Sequence, residues 1–151
     1  MVKIEKEIQQ KRFRSPLQKA MVNTLFTAAW INQRNAQALK PMGISIQQFN
    51  ILRILRGMHP EPATVKILTE RMIDKMSNAS RLVEKLKVKG LVERKSCQED
   101  RRRVNVFITP AGLDLLQEAS KAIEAEETEL ASRLSSEEAA LLSDLMDKMR
   151  G

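Results

Sequence analysis

Residues that carry chemistry are scarce in this chain of 151 amino acids. Its single cysteine, Cys97, cannot form an internal disulfide, and its single histidine, His59, cannot build a histidine-based metal site with it. No run of eighteen apolar residues is present, which excludes a membrane-spanning helix of the usual kind. Five glycines and five prolines are too few for a low-complexity or collagen-like chain. The first residues, Met1-Val2-Lys3-Ile4-Glu5-Lys6-Glu7, contain no apolar h-region, so no secretory leader is expected and a reducing cytoplasm is the expected compartment. No Ser/His/Asp set, paired-carboxylate motif, glycine-rich phosphate loop or metal-ligand cluster can be found, so an enzyme is not expected and no cofactor is assigned.

Charge is plentiful and unevenly placed. The net charge of +7 divides into +7 over residues 1–74, +6 over 75–110 and −6 over 111–151. A concentrated basic surface attracts a polyanion, because each neutralised phosphate releases a counterion. The acidic final segment would repel the same polyanion and has to face elsewhere. At this length a single domain with a sizeable core is expected.

Hydrophobic periodicity predicts a mostly helical chain. Residues 1–15 read as a short or frayed helix. Leu17, Ala20, Met21, Leu25, Ala28 and Ala29 follow helical spacing up to about Leu39, with Trp30 and Ile31 widening the apolar surface. Pro41 and Gly43 end that helix. Ser45-Ile46-Gln47-Gln48 is a capping box before a helix containing Phe49, Ile51, Leu52, Ile54 and Leu55. His59 falls in a turn-rich connector. Thr64 caps a short helix, and a further helix is predicted over about Lys75–Lys89, with Ala79, Leu82, Val83 and Leu86 as its apolar stripe. Gly90 stands where a helix-ending glycine belongs. Leu91–Lys95 and Val104–Ile108 read as two strands joined by a charged loop. Thr109-Pro110 starts a long helix, and Ser135 to Glu138 is a second capping box before the last one.

Two short helices joined by a turn and followed by a charged hairpin are the parts of a winged helix-turn-helix with a two-stranded wing. The expected architecture is one domain, 1–151. Long dimerisation helices occupy about 1–40 and 111–151, and the winged lobe about 45–110. The flanking helices carry more apolar surface than one lobe can cover, which points to a second, identical chain.

At ~100° per residue, the face opposite the apolar stripe of the helix 75–89 carries Ser77, Arg81, Glu84 and Val88, flanked by Asn78 and Lys85. Arginine can bond guanine bidentately and asparagine can bond adenine, so Ser77, Asn78 and Arg81 are candidates for base edges and Ser80 for a phosphate. A plain solvated face has the same composition. The hairpin tip favours the groove reading, because Arg101, Arg102 and Arg103 put three guanidinium groups on a projecting loop. Asp100 beside them is read as an ion-pair partner that orders one arginine.

The chain resembles the MarR family of bacterial transcriptional regulators. The segments that carry the likeness are Leu39 to Phe49, Ser80-Arg81-Leu82-Val83-Glu84-Lys85-Leu86, Lys89-Gly90-Leu91-Val92, and Asp100-Arg101-Arg102 with Val106, Ile108, Thr109 and Gly112. The resemblance implies a homodimeric winged helix on double-stranded DNA. It implies a palindromic operator, repressor action, and release by a small ligand or by oxidation. It also makes Arg102 the minor-groove candidate and Asp100 the wing-ordering partner. Ile73-Asp74 departs from the family's frequent glycine before the recognition helix. Relatives bind aromatic or phenolic ligands between the dimer helices and the DNA-binding lobe; Phe26, Trp30 and Met42 could line such a cleft, but methionine and aromatic positions at helical spacing are usually core, and no ligand site is assigned. Cys97, near Lys95 and Arg101, is read as an incidental thiol, because the family's sensing cysteine lies near the N-terminus, where this chain has none. The competing reading is an architectural or protein-interaction winged helix without a specific operator.

Overall fold

A computed structural model describes residues 2–96 and 104–151. Cys97, Asp100, Arg101, Arg102 and Arg103 lie outside the described residues, so the readings of the hairpin tip stay sequence-based. The elements in chain order are α1 (Ile4–Glu7), α2 (Pro16–Leu39), a 3-10 turn (Lys40–Met42), α3 (Ile46–Met58), β1 (Ala63–Thr64), α4 (Val65–Arg71), α5 (Ala79–Val88), β2 (Val92–Ser96), β3 (Val104–Ile108), α6 (Pro110–Ala131) and α7 (Ser136–Arg150).

Local signals set most helix starts. The Ser45 hydroxyl accepts from the Gln48 N–H at 3.1 Å while the Gln48 side chain accepts from the Ser45 N–H at 3.0 Å, the full capping box. Ser135 and Glu138 repeat it ahead of α7. Thr64 and Thr109 accept from the N–H three residues on, at the starts of α4 and α6. Gly90 takes a φ of 72°, the left-handed conformation that ends α5.

The expected two-stranded wing is present as the antiparallel pair β2–β3, and among the described residues the sheet gains a third strand that was not expected, in the order β1-β3-β2. Ala63 pairs with Val106 and Thr64 with Asn105, so the connector after α3 closes the inner edge of the hairpin. A two-residue strand leaves too short a pattern to be seen in sequence. One expectation is corrected: α5 was expected from Lys75. Its first helical residue is Ala79, with Asn78 as N-cap, its side chain accepting from the Arg81 N–H at 3.0 Å.

Among the described residues, one main cluster forms the core. Ile51, Leu52 and Leu55 of α3, Leu68 of α4, Val83 and Leu86 of α5, Val106 of β3, and Leu116 and Ala119 of α6 are all buried within it. Helix α6 runs along α2 and packs over α3, and α3 in turn supports α5 and β3. Arg34 of α2 is fixed to α6 by its Nε donating to Glu126 at 2.6 Å and by a second ion pair to Glu129. The expected stripe of α2 is uncovered in the single chain: Leu17, Met21 and Leu25 are exposed, and so are Leu141, Leu142, Leu145 and Met149 of α7. Among the described residues no helix is long and apolar enough to cross a membrane.

The first turn of α6 is locked against the end of α5. Thr109 donates to the Gly90 carbonyl at 2.7 Å, and a Cβ added to Gly112 would stand 2.2 Å from the Leu91 carbonyl oxygen and 2.8 Å from Ile108. Backbone cannot yield as a side chain does. Gly112→Ala should therefore destabilise the fold by ~1–3 kcal/mol through overpacking, although alanine favours helix by ~1 kcal/mol. A denaturant midpoint equal to or above the parent's would contradict this.

Candidate nucleic-acid interface

Helix α5 buries Ala79, Val83 and Leu86 and half-buries Leu82, which turns Ser80, Arg81, Glu84, Lys85 and Val88 to solvent. Glu84 is the odd member, a carboxylate on the outward face. It is neutralised within the fold: Arg94 of β2 donates to it at 2.9 Å, and Lys87 stands 3.9 Å away. The pair also ties α5 to the strand leading into the hairpin tip. Arg81 and Lys85 are left exposed beside it.

Ser77 and Asn78 were expected on the outer face of the helix, and the structure places them in the turn that precedes it. Asp74 organises this turn. Its side chain accepts from the Met76 N–H at 3.0 Å and from the Ser77 hydroxyl at 2.9 Å. The Ile73 N–H donates to the Asn50 side chain of α3 at 2.9 Å. The Ser77 hydroxyl is therefore engaged with Asp74, and the Asn78 side-chain oxygen with the helix cap. The Asn78 amide N–H groups can still donate outward. Of the sequence candidates on α5, Ser80, Arg81 and Lys85 are exposed.

Sequence reasoning missed three features. One is the Glu84–Arg94 pair, which joins two elements. Another is a shallow cleft of about 330 Å³ between α3 and α4, lined by Arg53, Arg56 and Arg71. The third is the exposure of Ile73 and Met76 in the turn. The Asp74-Lys75-Met76-Ser77 stretch did hold a signal, since aspartate bonding the N–H two residues on is a common turn device.

Of the cleft candidates, Phe26 and Trp30 line a cavity of about 700 Å³ with Val2, Thr27, Arg133 and Leu134, whereas Met42 packs on the core. The guanidinium groups of Arg34 and Arg133 lie 5.2 and 5.9 Å from the Trp30 ring centre. His59 is an exposed connector residue. Among the described residues, no group of three His, Cys, Asp or Glu side chains is placed to hold a metal ion.

Comparison with known proteins gives a consistent result. A family model for the MarR family matches residues 42–103. The fold is similar to the crystal structure of a MarR transcription factor from Planctomyces limnophilus, with 30% identity over 90% of this chain and 98% of that one and a TM-score of 0.69. It is similar to S. aureus MepR in a DNA complex, at 23% identity over 92% and 97% of the two chains with a TM-score of 0.76. The apo form of wild-type MarR from E. coli matches at 23% identity over 91% and 98%, with a TM-score of 0.69.

The Ser77 hydroxyl, foremost, and the Met76 N–H hold the Asp74 carboxyl below the usual aspartate value of 3.8. A lowered folded-state pKa adds stability above the ordinary value and loses it as pH falls through the folded value. Ser77→Ala should move the Asp74 midpoint upward in a carboxyl-carbon NMR titration. Identical midpoints in parent and variant would remove Ser77 as the cause.

Proposed function

The chain belongs to the MarR family of transcriptional regulators, and on that premise we propose that it binds double-stranded DNA sequence-specifically, as a homodimer on a palindromic operator, and acts as a ligand-responsive repressor. The observation that carries the reading is the face of α5: a buried apolar stripe on one side, and Ser80, Arg81 and Lys85 held out on the other with Glu84 neutralised by Arg94. In this assignment Arg81 and Lys85 enter the major groove with Asn78 at the helix start, and Ser80 meets a phosphate. Ser77 supports the turn. Arg102 enters the minor groove, Arg101 and Arg103 contact the backbone, and Asp100 orders the wing. The lobe 45–110 reads DNA, while helices 1–40 and 111–151 form the dimer. A cytoplasmic location follows from the same role.

The uncovered apolar side chains of α2 and α7 support the dimer. Leu17, Ala20, Leu142, Leu145 and Met149 line a common groove, and a contiguous apolar groove is the kind of surface a second chain covers. A small aromatic effector would suit the cavity beside Phe26 and Trp30, whose volume is in the range of ligand sites.

Sedimentation equilibrium at micromolar concentration should give twice the 17.2 kDa chain mass; a single species at the chain mass would refute the dimer. Sequence preference is tested by selecting duplexes from a random pool and measuring affinity across a salt series. Arg81→Ala should lose ~1–3 kcal/mol of discrimination between selected and bulk DNA. Arg102→Ala should weaken A·T-flanked sites most, while Arg101→Ala and Arg103→Ala should each lower the salt slope by ~0.9. Equal weakening on all DNA by Arg81→Ala would make that residue a phosphate contact. No preference for any duplex would favour the architectural reading.

A further inference from the structure

The turn between α4 and α5 holds two largely exposed apolar side chains. Ile73 is 81% exposed and Met76 93%. In a loose loop this would be unremarkable, but this turn is pinned on both sides of Met76. The Ile73 N–H donates to Asn50 at 2.9 Å, the Met76 N–H to the Asp74 side chain at 3.0 Å, and the Ser77 N–H to the Asp74 carbonyl at 3.2 Å. A backbone fixed in this way holds the Met76 side chain outward. Met76 stands two residues before the N-cap of α5, at the end of the helix from which Arg81 projects.

Taking the assignment of α5 as the groove helix as its basis, we infer that Met76 is a specificity residue whose side chain packs against the C5-methyl group of a thymine in the major groove, at the N-terminal end of α5. Thymine is the one base that offers an apolar group on the major-groove edge. Removing that methyl and an exposed methionine from water together is favourable. The unbranched, polarisable thioether adapts to the groove wall without a fixed rotamer. Ile73 is less suited, since it borders the Arg53, Arg56 and Arg71 cleft against α3. A protein partner is a poor occupant, because two exposed side chains fall well short of the ~800 Å² that each side of a stable protein interface buries.

The test uses the full chain and duplexes it selects from a random pool. Each thymine of the selected site is replaced singly by deoxyuridine, which deletes the methyl and leaves base pairing intact. At one thymine per half-site, the parent should bind the deoxyuridine duplex about fourfold more weakly, the effect of one methyl-sized apolar group. Met76→Ala should bind the thymine duplex about fourfold more weakly and be indifferent to the replacement, with an unchanged thermal midpoint because the side chain is exposed. Three results would overturn the contact while leaving the regulator reading intact: a selected site without such a thymine, a parent insensitive to every replacement, or a Met76→Ala variant as sensitive as the parent. Failure to enrich any duplex over bulk DNA would remove the operator reading and the contact with it.

Discussion

Helix α5 spans only ten residues, and it is held in place by one apolar stripe. Ala79, Val83 and Leu86 are buried against α3 and α4, and every outward residue of the helix takes its direction from that contact. A helix this short is not stable alone in water, so its order comes from packing and not from propensity. The stripe therefore does two things at once. It closes the core of the lobe, and it fixes the rotation of Ser80, Arg81 and Lys85 about the helix axis. Any rotation that improved the outward face for a ligand would expose Val83 or Leu86, so the two faces cannot vary independently.

Polar contacts refine what the stripe sets. The Asp74 turn and the Asn50 side chain determine where the helix begins, and Asn78 satisfies a backbone N–H at that point. The Glu84–Arg94 pair links α5 to β2 across a partly exposed surface, where an isolated ion pair contributes ~0–1 kcal/mol. Its consequence is less stability than charge: it removes a repulsive carboxylate from a surface that otherwise presents cations. Charge is segregated on the larger scale as well. Basic residues are densest over 75–110, the segment that contains α5, and acidic ones over α6 and α7, where Glu126 and Glu129 serve to hold Arg34 of α2.

Much of the fold was legible in the chain because its signals are local. Ser45, Thr64, Thr109 and Ser135 each bond a backbone group three residues away, and such spacing can be read without knowledge of any other element. The apolar stripes of α3, α5 and α6 were legible for the same reason, since one helix turn brings their members together. The family likeness rested on short ordered segments and was borne out by the comparisons. The start of α5 was misread because Lys75, Met76 and Ser77 interrupt no helical pattern and include good helix formers. The turn prevails there because Asp74 bonds Met76 and Ser77, and because Asn50, 23 residues earlier, captures the Ile73 N–H.

The sequence by itself determined the helical class, the caps, the segregation of charge and the candidate face of α5. Each depends on residues within one or two turns of one another or on composition alone. Tertiary structure alone decided the third strand, where Ala63 meets Val106, and the pairing that silences Glu84. It also decided that Ser77 and Asn78 are engaged in the turn before α5 while Ser80, Arg81 and Lys85 are exposed on it, and that Met76 is exposed. These depend on which distant backbone groups compete for the same hydrogen bonds, and that competition is settled only when the core brings α3, α5 and the sheet together.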